Sequence, residues 1–341
     1  MTSTAPSVDS LDMAALARGT RQVFRLRIDE LDTDATMSIP VNVVVGAAAG
    51  PTVAAVAGVH GDEVEGVLAL LELWEELQPE LLAGTLVVVP VANPPAFAAH
   101  RRTSPLDDLD LNRIFPGRPD GSPSERLAHR LFTEVLRQAD FLFSMHSWHA
   151  TGSVLPYVEF GHLFPDTAAK SYDAAVACGF DLIRISHWSP GLMTRVANEQ
   201  GIPGIEVELG GQGVSQGKHR ARYKLYLRKL LRHLGMLEGK VKRSTPPRVV
   251  CHLDVSASTG GVLRPAVELG AEVDKGDRLA TLYDLNCQPL EDVRAPARGL
   301  VAAVHEAVSV GPGSHLFRLF QDFDYPARTH GEPEKESNSK D

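Results

Sequence analysis

The sequence predicts an α/β protein: a mixed, mostly parallel sheet flanked by helices, followed by a small all-β domain. Three observations carry this. Runs rich in Val and Ala at 41–45, 52–58 and 85–91 have the signature of strands covered on both faces. Segments with helical spacing follow them, and strands that alternate with helices imply a layered fold with function gathered beyond the carboxyl ends of the strands. Beyond Lys240 the pattern changes to short strands divided by glycine turns.

Residues 22–28 alternate through Val23, Phe24, Leu26 and Ile28 as an early strand. After the strands at 41–45 and 52–58, residues 65–77 carry apolar side chains at 67, 68, 70, 71, 73, 74 and 77, a helical stripe. The strand at 85–91 is closed by Asn93-Pro94-Pro95. Residues 124–137 form a helix that Ser122 or Ser124 can cap. Short strands at 141–145 and 204–209 precede a basic amphipathic helix at 218–237. Residues 241–248, basic and carrying Pro246-Pro247, are expected as a linker. From 249 to 319 no helix is needed, and turns fall at Gly260-Gly261, Gly270, Gly276, Gly299 and Gly311. The polar stretch from Asp322 is expected to end in a disordered tail. The expected division is a catalytic domain at 1–243, a β domain at 244–325 and a tail at 326–341.

At about 100–200 residues per domain, 341 residues suit two domains. A 43% hydrophobic and 23% charged composition is that of a globular chain. The net charge of -9 leaves no basic surplus to neutralise phosphates, which argues against a nucleic-acid binder. Cys178, Cys251 and Cys287 are far apart, which excludes a disulfide framework and disfavours a thiolate metal site. Thirteen His point instead to imidazole chemistry. Asp9 and Asp12 come before the first basic residue, Arg18, the wrong order for a secretory signal. Residues 35–61 lack any Asp, Glu, Lys or Arg, yet Pro40 and Pro51, with Gly46, Gly50 and Gly58, break them well short of the roughly 20 residues of a spanning helix. A soluble cytoplasmic protein without membrane partners is expected.

Four motifs carry chemistry. His60-Gly61-Asp62-Glu63 falls between a strand end and a helix start, where imidazole and carboxylate can turn into one cleft as ligands for Zn²⁺. The competing expectation is that these acids merely decorate a helix N-terminus. His146, ending the strand at 141–145, completes a His-Glu-His set, with His149 as its rival. Asn112-Arg113 offers an amide and a guanidinium fork suited to a substrate carboxylate, although Asp107, Asp108 and Asp110 can pair with Arg101, Arg102 and Arg113 as a plain loop network. Glu206 and Glu208 share one face of a strand, and one of them can act as general base.

With these motifs in this order, closed by Glu208-Leu209-Gly210, the chain resembles the succinylglutamate desuccinylase/aspartoacylase family, whose catalytic fold is similar to that of the zinc carboxypeptidases. The resemblance implies one Zn²⁺ held by His60, Glu63 and His146, with Glu208 as the catalytic carboxylate and Glu206 as its rival. It implies substrate-carboxylate binding by Asn112 and Arg113, and carbonyl polarisation by Arg102, with Arg101 competing. It places Arg195 as a further substrate arginine. The activity implied is hydrolysis of a small N-acyl amino acid. The alternatives are a zinc carboxypeptidase acting on peptides and a non-catalytic metal-binding protein. The family often has Asp two residues before the third ligand; Ser144 stands there, which leaves the partner of His146 open. Residues 260–299 resemble a biotinyl/lipoyl barrel-sandwich module, but no Lys lies between Arg278 and Gly299, so a carrier role is rejected. The module is expected to shape the active-site mouth or to form a homo-oligomer interface.

Overall fold

A computed structural model describes residues 5–30, 36–241 and 246–325. The expected tail and part of the expected linker lie outside them. The chain begins with β1 (Ser7–Val8), β2 (Thr20–Glu30), β3 (Thr36–Val45) and β4 (Ala48–Val56), then α1 (Val64–Glu76) and β5 (Ala83–Val89). Next come α2 (Pro94–Ala98), α3 (Pro123–Glu134), β6 (Phe141–His146), β7 (Gly152–Gly161), α4 (Pro165–Cys178) and β8 (Leu182–Ser186). The α/β part closes with α5 (Met193–Glu199), β9 (Gly204–Gly211) and α6 (Gly217–His233). Strands alone follow: β10 (Arg248–Ser256), β11 (Gly261–Pro265), β12 (Glu272–Val273), β13 (Arg278–Tyr283), β14 (Pro289–Arg294), β15 (Gly299–His305), β16 (Ser309–Val310) and β17 (His315–Asp322).

The main sheet runs β1-β2-β3-β5-β4-β6-β9-β7-β8-β10-β17-β15-β12. Its centre, β5-β4-β6-β9, is parallel. The expectation of a mostly parallel sheet holds for that centre. The β2–β3 hairpin and the antiparallel entry of β7 beside β9 make the sheet mixed. A second sheet, β14-β13-β11-β16, faces the end of the first across a core containing Leu263, Leu279, Leu282, Leu316 and Phe317.

Period-two alternation sorts the central strands onto two cores. Val53 and Ala55 of β4, Phe143 and Met145 of β6, and Ile205 and Val207 of β9 pack with Leu70 and Leu73 of α1 and Leu227 of α6. Ala54 and Val56 face the other way, toward Leu127 and Leu131 of α3 and Val196 of α5. Leu142 shares this second core, and its strand parity carries Ser144 and His146 to the same side. Opposite Ile205 and Val207, the same alternation aims Glu206 and Glu208 there too. Apolar packing on one face of the sheet therefore fixes which face receives the polar groups.

Helix α3 is capped by Ser122, not Ser124, with Pro123 at its first position and a reciprocal bond from Glu125. Ser124 is buried and its hydroxyl donates to Asp107 Oδ1 at 2.7 Å.

Candidate active site

The 60–63 turn leaves the carboxyl end of β4 and enters α1. Glu63 occupies the N-cap position, yet its carboxylate makes no cap hydrogen bond. It lies between two imidazoles instead: Oε1 is 2.6 Å from His60 Nδ1 and Oε2 is 3.0 Å from His146 Nδ1. All three side chains are buried, and their potential ligand atoms lie within 4.8 Å of one another. The opposite nitrogens are tied down, His60 Nε2 to Asp110 Oδ1 at 3.2 Å and His146 Nε2 to Ser144 Oγ at 2.9 Å. The partner left open by the sequence is thus Ser144 itself. A hydroxyl fixes the ring's orientation without adding the charge an Asp would bring.

Gly61 is required where it stands. A Cβ there would lie 2.0 Å from the carbonyl group of Ala96. Gly61→Ala is therefore expected to lower stability by about 1–3 kcal/mol, the range for overpacking a tight site. The denaturation midpoint reads this directly; an unchanged midpoint would mean that the turn relaxes freely.

The Asp-rich loop divides its acids among three tasks. Asp107 accepts from Ser122 and Ser124 at the start of α3. Asp108 pairs with Arg101 at 2.7 Å, which takes Arg101 out of the cavity. Asp110 accepts from Arg102 Nε at 3.0 Å while also touching His60. Asp110 therefore couples an arginine to an imidazole of the His60–Glu63–His146 cluster, a contact that the sequence subsumed in a loop network. The Met193 N–H donates to Asn112 Oδ1 at 2.8 Å, which leaves the Asn112 amide nitrogen available. Arg113 donates to the Asn112 carbonyl at 2.7 Å.

His60, Glu63, Arg102, Asn112, Arg113, His146, Glu206 and Glu208 all line one cavity of about 190 Å³. His149 lines it as well but stands outside the His60–Glu63–His146 cluster. Arg195 is not among the lining residues. Its Nε is 2.9 Å from Glu199 Oε1, and it donates to the Trp188 carbonyl. Ser147, Trp148, Glu159, Leu192 and Arg318 complete the wall. Arg318, on β17, crosses from the C-terminal β region. Asp254 grips it with two oxygens at 2.8 and 3.1 Å, and it stacks 4.8 Å from the Trp148 ring centre. Local sequence carries no signal for this, because Asp254 and Trp148 meet Arg318 only through long-range strand pairing.

The electrostatics separate the two kinds of carboxylate. Burial alone would raise Glu63, but the charges on His60 and His146 overcome it and hold the carboxyl well below its usual range. Burial opposes charge on His146, and Glu63 prevails, raising the imidazole to about 9. Burial pushes Glu208 up to about 7 despite the pull of His146. Glu208 Oε2 is buried without a hydrogen-bond partner. Two imidazoles and a carboxylate, oriented by outer hydrogen bonds, form a donor set that fits a borderline divalent ion such as Zn²⁺, and Glu208 faces the same cavity.

The chain is similar to known proteins over most of its length. The succinylglutamate desuccinylase/aspartoacylase catalytic-domain family model matches residues 49–234. The N-alpha-acetyl-L-2,4-diaminobutyric acid deacetylase of Halomonas elongata is 32% identical over 289 residues, covering 82% of this chain and 84% of that protein. The product-bound ectoine utilization protein EutE (DoeB) of Ruegeria pomeroyi superposes with a TM-score of 0.82 at 32% identity, covering 88% of this chain and 94% of the other. A succinylglutamate desuccinylase/aspartoacylase from Rhodobacter sphaeroides gives a TM-score of 0.84 at 28% identity, covering 92% and 98%.

Proposed function

Because the chain belongs to the succinylglutamate desuccinylase/aspartoacylase family, we propose that it is a zinc-dependent hydrolase cleaving the amide bond of a small N-acyl amino acid. The observation that carries this is the buried His60–Glu63–His146 cluster sharing one cavity with the unpartnered carboxylate of Glu208. The cavity, about 190 Å³, suits an acylated amino acid better than a peptide.

His60, Glu63 and His146 would hold the ion. A zinc ion bound there supplies Lewis acidity, lowering the pKa of a coordinated water to about 7 and polarising a carbonyl oxygen. Glu208 accepts the proton of the attacking water and delivers it to the leaving amine. Arg102, steadied by Asp110, donates hydrogen bonds to the oxygen on which negative charge develops. Asn112 and Arg113 hold the substrate carboxylate. The products are a carboxylic acid and a free amino acid. Arg195 has a part in this scheme only if it leaves Glu199.

The β domain, taken as residues 244–325 after a catalytic domain at 1–243, is assigned to the active-site mouth, with Arg318 in the cavity wall as its support. Its two packed sheets are compatible with a barrel-sandwich. No helix among the described residues is long and apolar enough to cross a membrane.

The test is amine release by the zinc-loaded protein from a panel of N-acetyl and N-succinyl amino acids, including Nα-acetyl-2,4-diaminobutyrate. Chelator-sensitive release is expected. Bound zinc with no release from the panel, but cleavage of peptides, would replace this proposal with a carboxypeptidase.

A further inference from the structure

A small N-acyl amino acid offers three points of recognition: the acyl carbonyl, the α-carboxylate and the side chain. The proposed scheme uses Arg102 for the first and Asn112 with Arg113 for the second. What remains of the wall includes Leu192, Glu159 and Glu206. Glu159 is neutralised by Arg184, whose Nη1 lies 2.8 Å from His252 Nδ1. Glu206, directly opposite Glu159 in the β7–β9 register, makes no ion pair with an Arg or Lys among the described residues, and the cation whose charge it feels is His146. It is 3% exposed, and its Oε1 accepts from the Thr194 hydroxyl at 2.8 Å. It stands two residues before Glu208, so both carboxylates project from one face of β9 into the same cavity.

A buried carboxylate with one neutral hydroxyl as its hydrogen-bond donor keeps acceptor capacity that the water it has lost would have filled. An acidic substrate side chain would bring a like charge against it. A neutral one would exclude water and offer no partner. An ammonium group satisfies it, and the Leu192 side chain supplies an apolar surface for the intervening methylenes. We infer that Glu206 is a specificity-determining residue that binds an ammonium group on the substrate side chain, so that the preferred substrates are N-acyl derivatives of diamino acids. This rests on the deacylase proposal above and assigns Glu206 a role distinct from the general base.

The test compares zinc-loaded wild type and Glu206→Gln on Nα-acetyl-2,4-diaminobutyrate, on N-acetylnorvaline, its uncharged counterpart of equal length, and on N-acetylaspartate. Wild type is expected to prefer the cationic substrate. The variant keeps the size of the side chain, and it is expected to lose about 100-fold in kcat/KM on that substrate alone, the scale of removing one partner of a desolvated charge pair. Calorimetry gives a readout independent of turnover: 2,4-diaminobutyrate should bind wild type more tightly than norvaline does, and the variant should lose that difference. Wild-type preference for the neutral or acidic substrate overturns the inference while leaving the deacylase proposal standing, and needs no variant. An equal loss on all three substrates by a folded variant also overturns it, making Glu206 part of the proton-transfer machinery. No amine release from any substrate by the wild type overturns both.

Discussion

Glu208→Gln is expected to retain about one zinc per chain and to lose roughly 10²–10⁴-fold in kcat, the usual contribution of a positioned general base. The amide has nearly the same shape as the carboxylate, so the neighbouring packing stays in place. It cannot accept a proton at neutral pH. Glu208 is not part of the His60–Glu63–His146 cluster, so metal content should be unaffected. Burial pushes the carboxyl up to about 7, and a bound divalent cation would lower it. The base works only when ionised, so wild-type kcat/KM should fall as pH drops below neutrality, and this acid limb should be missing from the residual activity of the variant. Metal analysis with amine release on one preparation checks the prediction. Normal hydrolysis by the variant would move the proton acceptor elsewhere, with Glu206 the first candidate.

Glu63→Gln is expected to reduce zinc content from about one per chain to near zero at equimolar metal, and amine release with it. The carboxylate contributes the only formal negative charge of the proposed donor set. It lies 2.6 Å from His60 and 3.0 Å from His146, and it raises the latter imidazole to about 9. Metal uptake must therefore displace a proton from His146, and affinity should rise with pH. Replacing Glu63 removes the charge that both imidazoles face. Titration with zinc followed by dialysis and elemental analysis measures the effect. A variant that still holds stoichiometric zinc would show that Glu63 is not a ligand, whatever its activity.

Much of this architecture was legible in the chain because local periodicity encodes it. The alternation in 204–209 predicted that Glu206 and Glu208 share a face, and β9 places both in the cavity. The stripe at 65–77 predicted α1 to within one residue at each end. The elements between 152 and 199 were not assigned from sequence. Strand β7 contains Pro156, which weakens a strand signal. Helix α4 buries small residues such as Ala168, Ala174 and Ala175, which give little contrast between its faces. The choice of Arg102 over Arg101 was open in sequence because adjacent arginines are distinguished only by which Asp each finds, Asp110 or Asp108. Arg318 was beyond sequence altogether: its neighbours Tyr157 and Asp254 are 161 and 64 residues away.

Strand β10 pairs with β8 across the proposed boundary, and β15 also pairs with β7. Trp148, Tyr157, Leu300 and Phe320 belong to one apolar cluster built from both sides of that boundary. The C-terminal β region is thus no detachable cassette. Cutting the chain after residue 241 would strip hydrogen bonds from β8 and bare a sheet edge, the template on which chains aggregate. Recombining this scaffold with a foreign C-terminal module would have to match strand register as well as shape, and the architecture should melt as one cooperative body.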